Sequence, residues 1–381
     1  MKKVLFTATV VKTHINVFHI PYLKMMKDMG CMACVAAKND FENEPCVIPF
    51  CDDFIDIEFS RNPFSVKNVK AYKRLRELIE RERFDLIHCH TPVASVVTRL
   101  ASIGARRKYG TKVIYTAHGF HFYKGAPVVN WLLYYPVEKI CSYFTDVLIT
   151  INKEDYALAK RKMKARRIEY VSGVGLDTKK FANTQVDPAV KRRELGIPED
   201  AVVLMSVGEL NHNKNHQVVI KALAQIHNEN IHYVIAGMGY LIDELQLLAN
   251  GLGLAKQVHF LGYRRDISEL YKVSDICVFP SIREGLPVAL MEAMACGVPV
   301  VCSNIRGNTD LIDETGGVLF EPADVDACRN ALEKLVGNEK LRRTMAIRNV
   351  ERVKQFDNAV IYVHMKKIYK SLLDMKTESG K

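Results

Sequence analysis

Along its first half, the chain alternates short β-branched apolar runs with longer stretches whose apolar residues recur at helical spacing. "KVLFTATV", "MACVAA", "FDLIHCH", "TKVIYTAH" and "DVLITI" read as strands, separated by helices near 15–29, 66–82, 92–107 and 129–144. The second half repeats the alternation with "AVVLMSVGEL", "IHYVIAGMG", "QVHFLGY", "DICVFP" and "PVVCS". Its helices are expected near 214–227, 240–252 and 266–273, after residue 286, and in a closing group that includes "AVIYVHMKKIYKSLLD". Strands separated by helices need crossovers, so neighbouring strands run parallel in doubly wound α/β sheets. The expected domains cover 1–177 and 201–356, joined by a polar linker at 178–200 and followed by a terminal segment at 357–381. Ligands of open parallel sheets bind beyond the carboxyl ends of the strands, which makes a cleft faced by both sheets the expected site.

A length of 381 residues agrees with two domains, and 48% hydrophobic with 25% charged residues is the balance of a globular protein. Ten cysteines lie scattered, as thiols of a reducing cytoplasm do. Cys31 and Cys34 have redox-motif spacing but fall in the second strand. "MKKVLFTATVVKTH" lacks the apolar length and cleavage site of a signal peptide, and no later run approaches the roughly 18–20 apolar residues of a spanning helix.

The net charge of +11 favours acidic partners. Basic residues gather at 105–112 and 159–167, where aromatics are not interleaved as in a stacking surface, Tyr109 standing alone, which argues against nucleic acid. Those clusters read either as solvated helix ends or, with the apolar "VVNWLLYYPV" at 128–137, as a surface that docks on an anionic membrane. The apolar stretch reads rather more readily as a core helix.

"SIREGLPVALMEAMACGVPV", residues 281–300, sets Glu284 and Glu292 in otherwise apolar sequence. Pro287 suits the first helical position and Gly297 the terminator, so a helix runs between them. Glu284 then precedes a helix N-terminus, where the dipole favours an acid. Glu292 lies deeper, with almost no polar face around it, and a carboxylate so placed needs a partner. Ionised, it accepts two hydrogen bonds at once, which suits a pair of ligand hydroxyls. Gly285 allows close approach to the backbone, and the free N–H groups of the helix start attract phosphate. Phosphate beside a hydroxyl pair describes a nucleotide sugar.

"EGLPVALMEAMACGVPVV" resembles the E-x7-E signature of retaining glycosyltransferases of the GT-B fold, in particular family 4. Supporting motifs follow in similar order: "VGELNHNKNH", "IAGMG", "VHFLGYRRDI", the glutamate block, "NIRGNTDLI" and "GGVLFEPAD". The first half, with "PFSVKNVKAYKRLRELI", "DLIHCHTPVASVVTRLA" and "YTAHGFHFYKGAPVVNWLLYYPVEK", resembles the branch that builds bacterial capsular or exopolysaccharide repeat units. The resemblance implies two Rossmann-like domains facing a cleft, with the terminal helix crossing back to the first. It also implies transfer of a hexosyl or N-acetylhexosaminyl group from a nucleotide sugar, UDP by default, to a lipid-linked oligosaccharide. The chain would then be cytoplasmic or peripheral on the inner face of the plasma membrane. The nucleotide sugar is a co-substrate, and no cofactor or metal is implied.

By the same resemblance, Glu292 holds the ribose hydroxyls and Glu284 the donor sugar, with backbone N–H groups of Gly285 and Leu286 on sugar or phosphate. Lys214, in the loop begun by Gly208, neutralises the diphosphate; Gly237 and Gly239 leave room at a strand end, and the backbone at Tyr263 and Arg264 flanks the base. His118 reaches the donor sugar from the first domain, and with Glu284 it is the catalytic pair. Catalysis would rest on positioning and electrostatics, the departing diphosphate taking the acceptor proton on the same face.

Glu209 stands where family members commonly carry arginine, which leaves the phosphate to Lys214, helix N-termini or another base such as Arg283. The first loop lacks the family's paired glycines; His14 and Asn16 are expected on the acceptor side there, with His121, Tyr123 and Lys124. A GT-B sugar-nucleotide epimerase and a catalytically silent partner that binds a lipid-linked sugar are the competing readings. Keeping Glu284, Glu292, Lys214 and His118 together argues against the silent partner. Asp324 and Asp326 open a helix and read as caps rather than metal ligands. His88 and His90 share a strand face but show no third ligand at useful spacing.

Overall fold

The computed structural model describes residues 1–374, which divide into two compact units. The first comprises Met1–Val174 together with the segment beginning at Ile361, and the second Gly175–Val360.

In the first unit the strands are β1 (Lys3–Val10), β2 (Met32–Lys38), β3 (Asp53–Asp56), β4 (Leu86–Cys89), β5 (Lys112–Ala117), β6 (Val147–Thr150) and β7 (Arg167–Tyr170), in the order β3-β2-β1-β4-β5-β6-β7. All pairs are parallel. Alternation along β1 builds a core on each face. Leu5 joins Leu75, Ile79 and Phe84 on one side. Val4, Phe6 and Ala8 join Leu23, Met26, Ile361, Met365 and Ile368 on the other. The terminal helix Asn358–Leu372 thus supplies part of the first unit's core.

The second unit carries β8 (Val202–Val207), β9 (Ile231–Ala236), β10 (Val258–Gly262), β11 (Ile276–Phe279), β12 (Val300–Ser303) and β13 (Gly317–Phe320), in the order β10-β9-β8-β11-β12-β13. These pairs are also parallel. In each sheet the order reverses once, between β1 and β4 and between β8 and β11. The region beyond the carboxyl ends of those strands is where such sheets hold ligands.

Several expectations need correcting. Residues 178–200 are not a free linker: they form helices Thr178–Ala182 and Pro188–Glu194 within the second unit. Lys191 is held there by Asp266 at 2.6 Å, and Arg192 by Asp275 at 3.0 Å. The first unit ends at Val174 rather than 177, and residues 357–360 stay with the second, where the Asn358 N–H donates to the Leu176 carbonyl at 2.9 Å. Residues 375–381 of the expected terminal segment lie outside the described residues. The helix expected near 15–29 is broken into a π-helical turn at Val11–Ile15, a short turn at Asn16–Phe18 and a helix at Ile20–Asp28. The helix expected over 92–107 is two, Pro92–Ala101 and Ile103–Tyr109.

Candidate functional site

At the reversal of the second sheet, two loops are stitched together. The loop after β8 gives the Asn213 carbonyl to the Ile282 N–H at 2.8 Å. The Asn213 side chain donates to the Arg283 carbonyl at 3.0 Å and that of Asn215 to the Pro280 carbonyl at 3.3 Å. Between these bonds Lys214 Nζ meets Glu284 Oε1 at 2.8 Å and lies 4.7 Å from the centre of the Phe279 ring. Cation and carboxylate are therefore presented side by side, on loops fixed by backbone bonds.

Glycines shape this arrangement by what they keep out. A Cβ at Gly208 would stand 3.1 Å from Lys214 Cε, so the lysine stem runs across that glycine. A Cβ at Gly237 would stand 1.9 Å from the Gly208 carbonyl oxygen, and one at Gly239 2.3 Å from that of Leu210. The room at these two glycines is filled by the neighbouring loop's backbone. Gly307, at φ +80°, abuts the Gly285 carbonyl, where a Cβ would come within 2.5 Å. The turn of Glu284, Gly285 and Leu286 is thereby backed by the loop after β12.

Pro287 is the cap of helix Val288–Ala295, one residue before the first-turn position expected for it. Glu292 sits within that helix, half-buried between buried Met291 and Ala293. Burial pushes its carboxyl up to about 7, with Lys180 opposing, and among the described residues no hydrogen bond offsets that burial. A carboxylate in this state gains from any ligand that donates to it.

Arg264 is occupied: its guanidinium pairs with Asp266 Oδ1 at 2.8 Å and Glu194 Oε1 at 2.9 Å, so at this position the backbone is what is left for a ligand. Tyr263 is exposed at 67%, and Arg283 and Glu209 are exposed as well.

In the first unit, His118 follows β5 and its Nε2 lies 3.3 Å from Nδ1 of His90, which follows β4. His14 Nε2 lies 3.2 Å from His19 Nε2, and the His14 and His118 rings meet edge-on at 5.4 Å. Burial lowers His14 to about 3 and His118 to about 4, so these rings are neutral near pH 7. The Phe120 N–H, donating to Asp155 at 2.9 Å, anchors the loop after His118.

A cleft of about 340 Å³ at this sheet's reversal is lined by His14, His121, Arg61, Thr13, Thr91 and Tyr134, among others. Thr91, a β-branched residue, holds φ +62°, secured by its 2.7 Å hydroxyl bond to Thr9. Such strain persists only where surroundings over-determine it, commonly at functional positions. His14 and His121 thus come together as expected. Asn16 instead donates to the Val47 carbonyl at 3.0 Å, Lys124 is tied through its N–H to Glu154 at 2.8 Å, and Tyr123 is half-buried in the same loop. Arg61, Thr91, His19 and His90 were not foreseen as members of this site. Only the His88 and His90 pair gave a signal, and His88 is taken up by Tyr369 at 2.7 Å and Thr116 at 2.8 Å.

Comparisons with known proteins give this geometry a family. Residues 188–352 match the model of glycosyl transferases group 1, and residues 3–152 that of glycosyl transferase 4-like proteins. EpsD of Bacillus subtilis (strain 168), which carries a glycosyltransferase designation, is 39% identical over 99% of this chain and 98% of its own. The Escherichia coli UDP-Gal:alpha-D-GlcNAc-diphosphoundecaprenol alpha-1,3-galactosyltransferase is 31% identical over 74% of each chain. Among solved structures, Anabaena Alr3699/HepE in complex with UDP superposes with a TM-score of 0.77 at 20% identity, covering 97% of this chain and 100% of that one, a likeness of fold. Two parallel sheets of this topology, both family models and a relative matched end to end agree, and the chain belongs to the family 4-type glycosyltransferases of the GT-B fold.

Proposed function

We propose that this glycosyltransferase takes a sugar from a UDP-sugar and attaches it, with retention at the anomeric carbon, to a saccharide carried on a polyprenyl diphosphate. The observation that carries the donor half is the Lys214–Glu284 pair at the sheet reversal, backed by the half-buried Glu292. Lys214 meets the charge that grows on the leaving diphosphate, and backbone N–H groups at the start of helix Val288–Ala295 add to it. When the diphosphate takes Lys214, Glu284 is released to accept from sugar hydroxyls. Glu292 accepts from the ribose. His118 is the sugar-contacting residue of the first unit, and the cleft with Arg61 and His121 receives the acceptor. No resident metal is needed in this chemistry, since lysine and helix dipole supply the positive charge.

The acceptor half is supported by relatives whose names specify undecaprenyl-diphosphate saccharides, in E. coli and in Campylobacter jejuni. The helix Val128–Ser142 supports it independently. Val128, Leu132, Leu133 and Ile140 are exposed at 73, 70, 47 and 57%, so the stretch is not a core helix. Its inner face is pinned by the buried Arg99–Glu138 pair at 2.9 Å. The Lys164 N–H donates to Ser142 at 2.8 Å, bringing the exposed bases Lys162, Lys164 and Arg166 to the helix end. An apolar face beside cations fits the anionic surface in which a lipid-linked acceptor resides. No helix among the described residues is long and apolar enough to cross a membrane.

The test is incubation with labelled UDP-sugars and undecaprenyl-diphosphate saccharides. Label should pass to the lipid with its anomeric configuration kept; inversion, or release to water alone, would contradict the proposal.

A further inference from the structure

Four imidazoles from three parts of the chain converge at the carboxyl ends of the first sheet. His14 and His19 come from the segment after β1, His90 follows β4 and His118 follows β5. One ring nitrogen from each lies within 4.8 Å of the other three. The pairs His14–His19 and His90–His118 already stand at 3.2 and 3.3 Å, and the rings of His19 and His90 are stacked at 3.8 Å.

A tetrahedral zinc ion with Zn–N of about 2.0–2.1 Å has its ligand nitrogens roughly 3.3–3.4 Å apart. Two edges of that tetrahedron are therefore present. Closing a 4.8 Å separation to that edge takes about 1.5 Å, within reach of imidazole rotation.

As a purely hydrogen-bonded network the cluster is incomplete. His19 Nδ1 and His90 Nε2 are buried without a hydrogen-bond partner among the described residues. They are the nitrogens opposite those of the two short pairs, and since one ring gives an ion one nitrogen, an ion seated at the short pairs leaves them unbonded. We propose that His14, His19, His90 and His118 form a binding site for one divalent metal ion of the zinc class. Imidazole nitrogen suits Zn2+ and its neighbours in the transition series and disfavours Mg2+ and Ca2+. The four rings are held neutral by burial, so no proton need leave before a metal binds. His14, half-buried and lining the 340 Å³ cleft, gives the ion a way in.

The ion takes no part in the transfer chemistry. It draws His118 into coordination and away from a sugar, so the loaded protein is the less active form. That consequence rests on the role proposed for His118; the binding itself does not.

Co2+ is the probe, titrated into full-length protein without an affinity tag. One equivalent is expected to bind, with the intense visible absorption of tetrahedral nitrogen-ligated cobalt, and Zn2+ should displace it. His14→Gln, at the least buried ligand, should weaken binding at least about tenfold, the scale on which metal sites respond even to lost outer-shell partners. His90→Gln should do the same. His259→Gln, which breaks the separate His232–His259 pair at 2.9 Å in the second unit, should leave the titration unchanged. Absence of the absorption in the wild-type protein overturns the proposal even if a variant fails to fold, and so does a band that survives His14→Gln and His90→Gln. UDP-sugar binding, measured on the same preparation, reports on the proposed donor site separately. Its failure with the cobalt band present would count against that site and leave the metal site standing.

Discussion

Burying the Glu292 carboxylate works against the fold and in favour of the ligand. An ordinary glutamate ionises near 4.5, whereas this one ionises near 7. Below about pH 4.5 the acid is neutral in folded and unfolded chains and costs nothing; as pH rises through about 7 the folded chain must carry a partly desolvated charge, and stability is lost. The shift is worth on the order of 2 kcal/mol after allowing for its partial exposure. Glu292→Gln is therefore expected to melt about 3 °C higher than wild type at pH 8 and at the same temperature at pH 4, as scanning calorimetry would show. The same variant should bind UDP at least about tenfold more weakly at pH 8, because an amide cannot accept a hydroxyl pair as a carboxylate does. Equal melting at pH 8 would mean that the carboxylate is solvated. A residue that destabilises the free protein and strengthens the complex is one the fold retains for its ligand.

At the scale of elements, helix Val128–Ser142 shows how far a pattern can be read. Its sequence is apolar almost throughout, and no periodicity distinguishes a buried helix from one with an exposed apolar face. Only packing decides: Glu138, Cys141 and Ser142 are buried, and Leu132 and Leu133 are not. Leu132→Asp with Leu133→Asp should abolish flotation with anionic vesicles at low salt while leaving UDP binding intact. Retained flotation would remove this helix from membrane docking.

Strand legibility divides along the same line. The central strands, apolar on both faces, were plain in the sequence, as was their alternation with helices. β3 and β7 were missed because they are edge strands: "DFID" and "RIEY" have no fully buried residue and carry charges at half their positions. β13 is short and half-buried, and it was read only as part of a motif. The supposed linker was misread because its helices are brief and polar, fixed by ion pairs such as Lys191–Asp266 that only tertiary structure brings together. Spacing located the two glutamates, since eight residues across one loop and helix start form a local feature. The histidine cluster was beyond such reading: its members are separated by up to 104 residues and meet only because β1, β4 and β5 lie side by side. Likewise, Gly237 and Gly239 were expected to leave room at a strand end, and that room is taken by protein backbone.

Across the molecule, two units of similar construction present different side chains at the same topological place. Each sheet reverses its order once, and each reversal gathers polar groups that its core has no use for: a lysine and a carboxylate in the second unit, neutral histidines and Arg61 in the first. The charged pair is suited to a nucleoside diphosphate-sugar, and the open cleft of the first unit to a saccharide acceptor. The central claim is that the second unit holds a UDP-sugar through Lys214, Glu284 and Glu292. Calorimetric titration of a panel of nucleotide sugars into wild type, Glu292→Ala and His118→Ala tests it most directly. The account predicts that one UDP-sugar binds wild type, that Glu292→Ala loses at least about tenfold in affinity, a difference of about 1.4 kcal/mol, and that His118→Ala still binds UDP. Wild type that binds no nucleotide sugar, or Glu292→Ala that binds as tightly as wild type, would contradict it.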